Sequence, residues 1–141
     1  MFQDYIISQN EAICHLFLHC CFKDGVFSTD EIDSVSSKFV DLQIHRDLNF
    51  KEELQHYKTY ISQVTDEDAY LQHIFKLINA VQNLALYSYC FELCLSDRSL
   101  SAPEDSLLTK IANQLEIETS EKNIIDKLIT QRKAVEIEKI F

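Results

Sequence analysis

One glycine and one proline in 141 residues leave this chain few means of turning sharply. Tight two-residue hairpins draw on residues that accept positive φ, glycine above all, so a sheet of short strands is excluded as the main architecture. The same scarcity removes glycine-rich phosphate loops and dinucleotide fingerprints, and with them the P-loop and Rossmann enzymes. Tryptophan is absent, and basic side chains are few: 13 lysines and arginines against 23 acids give a net charge of −10. A surface of that sign repels nucleic-acid backbones and anionic lipid, and favours cations or a protein partner with a basic patch. No apolar run approaches the roughly 20 residues that a membrane-spanning helix needs. The opening Met1-Phe2-Gln3-Asp4 carries no basic leader region. The expected location is the cytoplasm, with neither nucleic acid nor membrane insertion among the expected partners.

What the chain does have is helical periodicity. Apolar residues make up 46% and charged residues 26%, a composition that supports one domain with its own core. Ile13, Leu16, Phe17, Cys20 and Cys21 form a broad apolar face on a helix spanning about 9–23. Glu11, His15, His19 and Lys23 follow at intervals of four as a polar stripe, which predicts that both histidines face solvent. A His pair at i, i+4 can chelate Zn²⁺ or Ni²⁺, but two ligands without a third make a weak site. The five cysteines are odd in number, Cys20 and Cys21 adjoin, and no CxxC pattern occurs. They read as core residues in a reducing compartment. Cys20–Cys21 beside His19 is no catalytic couple, because helix neighbours point about 100° apart.

A second feature is an internal repeat. At an offset of 73 residues, Ala12/Ala85, Cys21/Cys94, Asp24/Asp97, Ser28/Ser101, Glu31/Glu104, Leu42/Leu115 and Ile44/Ile117 are identical pairs. The repeats span about 9–64 and 80–141, each reading as helix, acidic turn, helix, short connection, helix. Ser28 with Glu31 and Ser101 with Glu104 satisfy the S-x-x-E capping box, and Pro103 falls in a first turn, where its missing N–H does no harm. Asn49 with Glu52, Thr65 with Asp68, and Thr119 or Ser120 open further helices. An additional helix lies near 66–79, with a break in 79–83. The alternating 135–141 is read as helical, and its apolar end covers the core or meets a second subunit. Around 87–91, Tyr87, Tyr89, Cys90 and Phe91 wrap the helix too broadly for a single stripe, which predicts central burial. The fold expected is an all-α compact bundle of six or seven helices in one domain, 1–141.

The two acidic turns carry the candidate chemistry. Asp24, Asp30, Glu31 and Asp33 cluster in the first, and Asp97, Glu104 and Asp105 in the second. Carboxylate oxygens suit Ca²⁺, Mg²⁺ or Mn²⁺, while Glu31 and Glu104 are also accounted for by capping and the helix dipole. Both readings stay open. An EF-hand is excluded, since a loop starting at Asp24 would place Val26, Ser28 and Val35 at ligand positions and Thr29 where glycine belongs.

Lys23-Asp24-Gly25-Val26-Phe27-Ser28-Thr29-Asp30-Glu31 between an apolar and an amphipathic helix resembles the signature of the TerB-like family. That family includes the tellurite-resistance protein TerB and N-terminal domains of some J-domain co-chaperones. Ser96-Asp97 through Glu104, followed by Leu107, Leu108, Ile111, Ala112 and Leu115, is similar to the family's second copy. The resemblance implies a non-enzymatic helical domain in stress-response or scaffold complexes. It also implies a divalent cation at Asp24 and Glu31, with Asp97 and Glu104 as counterparts. The first copy is the better site: Gly25 allows close backbone approach, whereas Arg98 sets a cation beside the second set of acids. Two other classes remain: a metal-free interaction module with an acidic surface, possible as a homodimer, and a metal-assisted hydrolase, which needs three ligands, an open position and a base.

Overall fold

Serine and its acidic partner three residues on open the first helix. Ser8 Oγ accepts the Glu11 N–H at 3.2 Å and Glu11 Oε1 accepts the Ser8 N–H at 3.0 Å, a closed capping box that starts α1 (Gln9–Cys21). The same chemistry recurs along the chain. Ser28 caps α2 (Thr29–Asp41), Asn49 caps α3 (Phe50–Tyr60), and Ser101 closes a second full capping box on α6 (Ala102–Gln114). The cap of α4 (Glu67–Leu77) is Asp66, one residue after the expected Thr65, and its carboxylate accepts the Ala69 N–H at 3.1 Å. Aspartate outranks threonine at that position, which accounts for the shift. The remaining helices are α5 (Asn83–Cys94) and α7 (Thr119–Glu138), so 135–138 is helical and the expected break falls between Leu77 and Asn83.

The structure, a computed structural model, describes residues 1–23, 25, 28–95 and 99–141. Among them are seven α-helices and three single 3₁₀ turns, with no strand. Helices α2 and α6 begin and end 73 residues apart, at 29 and 102 and at 41 and 114. Gly25 takes φ 83°, and a Cβ added there would meet nothing within 4 Å. Backbone conformation, not space, calls for glycine at this turn.

Two helices occupy the middle. Helix α1 packs against α2, α3, α4 and α5, and α5 packs in turn against α1, α2, α6 and α7. Every residue from Cys14 to Phe22 is buried, as are Tyr87, Cys90, Phe91, Leu93 and Cys94 on α5. This placement overturns the expectation of exposed histidines: His15 is 0% and His19 5% exposed. A helix enclosed by four others has no solvent-facing side over its central turns, so its polar stripe meets α3 and α4. All five cysteines are buried, in keeping with a core role. Helix α7 lies on the outside against α5, with Ile129 its one buried side chain.

The capping chemistry predicts that Ser101→Ala lowers stability by about 1 kcal/mol. Urea unfolding should show a lower midpoint at unchanged slope. Ser106→Ala, on the exposed face of the same helix, should stay within about 0.5 kcal/mol of the parent.

Candidate functional site

The first turns of α2 and α6, distant in sequence, meet at one opening. Glu31 and Glu104 both line a cleft of about 520 Å³, together with Asp30, Glu92 and Glu136. The serines Ser28, Ser34 and Ser37 and the lysines Lys38 and Lys133 share its walls, and Cys21 and Cys94 form part of its floor. Glu104 is buried, and its Oε1 accepts the Ser101 N–H at 2.9 Å. Cys21 Sγ donates to the Glu31 carbonyl at 3.2 Å, fastening the start of α2 to the end of α1. Lys38 Nζ stands 3.5 Å from Glu92 and over the Tyr89 ring, so one of the acids already has a partner. Asp24 and Asp97, the other two sequence-predicted ligands, lie outside the described residues. Among the described residues no three His, Cys, Asp or Glu side chains are grouped so as to hold a metal ion, and no histidine lines the cleft.

A polar cluster of another kind lies between α1, α3 and α4, and it went unforeseen. His15 Nδ1 is 2.6 Å from Tyr60 Oη and its Nε2 is 2.8 Å from Glu53 Oε1. One turn on, His19 Nδ1 is 3.0 Å from Tyr57 Oη and its Nε2 is 2.8 Å from Glu67 Oε2. A carboxylate only accepts, so Nε2 carries the proton in each neutral ring and Nδ1 accepts from the phenol. Tyr60 then donates to His15, and Tyr70 donates to Tyr60 across 2.6 Å. Every polar atom along this line has a partner of the right kind, which is what burial at that depth requires.

Glu67 is the node of the second unit. It accepts from His19, from Lys23 at the end of α1 and from Lys110 of α6, at 3.1 Å in the last case. The His19 hydrogen bond, followed by those from Lys23 and Lys110, holds its carboxyl well below the ordinary carboxylate range despite partial burial. Burial also lowers His19 below its usual value, against the pull of Glu67. Burial likewise raises Tyr57 and Tyr70 well above the normal phenol range. The thiols of Cys20 and Cys94 are also raised, Cys20 chiefly by burial and Cys94 chiefly by its hydrogen bond with Cys20, so neither is a ready nucleophile.

A family model described as tellurite resistance protein TerB matches residues 10–127. The chain belongs to the TerB family. No curated protein and no solved structure matches it. The TerB match runs from α1 into α7, so it takes in both acidic turns and all the residues of the buried histidine cluster. Membership fits the helical architecture, and no helix of the described residues is long and apolar enough to cross a membrane.

The cluster makes two predictions. Both perturbed groups destabilise the fold in acid. His19 takes up a proton near pH 6.5 when unfolded and only at lower pH when folded, so its contribution is lost as pH falls below 6.5. Glu67 contributes above its ordinary value of 4.5 and loses that contribution below it. Thermal midpoints should therefore fall progressively between pH 7 and pH 4. Glu67→Gln should cost about 2–3 kcal/mol at pH 7 and flatten the further fall below pH 4.5, where Glu67 itself loses its contribution; an unchanged slope below pH 4.5 would contradict the assignment. Tyr60→Phe should cost about 1–3 kcal/mol, because it strips His15 and Tyr70 of a shared partner. Denaturant titration reads that loss directly.

Proposed function

We propose that this TerB domain acts by binding rather than by catalysis, in a stress-response or scaffold role, with a divalent cation taken up at the acidic cleft. The observation that carries the reading is that Glu31 and Glu104, equivalent under the 73-residue offset, open onto the same cleft. Its oxygen-rich wall of carboxylates and serine hydroxyls suits a hard ion such as Ca²⁺, Mg²⁺ or Mn²⁺. Glu31 and Glu104 would hold the ion with Asp24 and Asp97 of the turns, since the described residues alone supply no three-ligand set. The ion would neutralise the acids where the starts of α2 and α6 face one cleft. A hydrolase would need three ligands, an open position and a base in the same cleft.

One observation favours a second reading, a metal-free module that docks a basic protein partner. Lys38 and Lys133 lie within the cleft, and Lys38 pairs with Glu92 at 3.5 Å. Walls that take the chain's own ammonium groups would also take those of a partner, and a net charge of −10 would steer such a partner inward.

Thermal unfolding with millimolar Ca²⁺, Mg²⁺ or Mn²⁺ against EDTA separates the two. Ion at a hundred times its dissociation constant should stabilise the fold by about 2.7 kcal/mol. The gain should vanish in Glu31→Gln/Glu104→Gln. If no ion raises the midpoint of the parent protein, the cation reading fails and the basic-partner reading stands.

A further inference from the structure

A second pocket, of about 240 Å³, opens beside His19 where the end of α1 meets α3 and the start of α4. It shares no described lining residue with the acidic cleft. Phe22, Ile61 and Val64 give it apolar walls, while Lys23, Thr65 and Glu67 bring polar atoms to it. Two more of its polar side chains, His19 and Tyr57, are buried and bonded to each other at 3.0 Å. Apolar walls with a few fixed polar groups are the usual make-up of a small-molecule site, and drug-sized ligands fill about 300 Å³ or more. This one suits something smaller.

The polar groups of the pocket are unevenly committed. Glu67 already accepts from His19, Lys23 and Lys110, so an incoming cation would have to displace one of them. An ammonium has three N–H donors, and Lys23 gives one to Glu67, which leaves two. Thr65 adds an exposed hydroxyl. Two ammonium groups on one carboxylate make a local surplus of positive charge in a chain of net −10. Lys110 also stands 3.5 Å from Asp68, but that carboxylate is 70% exposed and screened by water. The surplus is felt by its neighbours: the Glu67 carboxyl is held low by the bonds from His19, Lys23 and Lys110, and the two ammonium charges add to burial in lowering His19.

We propose that this pocket binds a small organic carboxylate, with its apolar body against Phe22, Ile61 and Val64 and its carboxylate on Lys23 and Thr65. A ligand that fills the pocket takes Lys23 out of water, and an ammonium so covered needs a negative charge and acceptors to offset the cost. A neutral body leaves the surplus charge unmet. A bare inorganic anion leaves the apolar walls unused. A monocarboxylate of about the size of benzoate meets both demands.

Titration of the isotope-labelled chain with sodium benzoate, followed through its amide resonances, tests the proposal. The expected result is saturable shifts at residues 19–23 and 57–67, with a dissociation constant of about 1–10 mM, the range open to a fragment of this size. Benzamide, which has the same shape without the charge, should bind about tenfold more weakly. Benzylamine should leave these residues unshifted. Lys23→Met should weaken benzoate about tenfold, and Val64→Asp should abolish saturation, with helical circular dichroism unchanged in both. Lys76→Met, at an exposed position of α4, should bind as the parent does. No saturable shift up to about 50 mM benzoate overturns the proposal. So does benzamide or benzylamine binding as tightly as benzoate on the parent chain. Binding that persists in both Lys23→Met and Val64→Asp places the ligand elsewhere and overturns it too.

Discussion

A helix that carries two histidines runs through the middle of this molecule, and its surroundings are arranged to satisfy them. An imidazole deprived of water needs an acceptor on one nitrogen and a donor on the other. Helix α3 provides Glu53 and Tyr60 to His15, while Tyr57 of α3 and Glu67 of α4 serve His19. Four hydrogen bonds thereby set how α3 and α4 sit against α1. Apolar packing alone would tolerate a range of rotations and slides, whereas directional bonds of 2.6 to 3.0 Å accept few of them.

Glu67 extends that constraint to the other half of the chain. Through Lys110 it joins α4 to α6, and through Lys23 it reaches the residue just before the first acidic turn. A carboxylate shared by one imidazole and two ammonium groups sits in an excess of positive partners, which explains why it stays ionised though half-buried. The two polar regions of the molecule are unlike. One side is a self-satisfied buried network, and the other is an open cleft where Asp30, Glu31, Glu92, Glu104 and Glu136 outnumber Lys38 and Lys133.

What could be read from the sequence was what is local. Caps at Ser28, Asn49 and Ser101 depend on residues three apart, and the all-α class follows from a missing turn chemistry; both appear in the structure. Ser8 with Glu11 obeys the same S-x-x-E rule just ahead of the first repeat. The histidine cluster was not legible. Spacing of four places His15 and His19 on one face, but whether water or α3 covers that face depends on contacts 38 to 48 residues away. The signal available was weak: Glu53, Tyr57 and Tyr60 recur at helical spacing on α3, a polar and aromatic face matching the histidine stripe. The cleft lies between these cases. The offset picked out Glu31 and Glu104 as equivalents, yet only packing around α1 and α5 brings them to one opening.

The thiols carry a practical consequence. All five are buried, and Cys20 on α1 lies in hydrogen-bond reach of Cys90 and Cys94 on α5, the helix it packs against. An alkylating reagent reaches Cys20, fully buried between the two helices, only when that seam parts. The rate at which Cys20 is modified in the untouched protein is thus a clock for the opening of its innermost helix pair, with no label to be engineered. A cysteine placed anywhere on the surface would, for the same reason, be the one site that reacts at once.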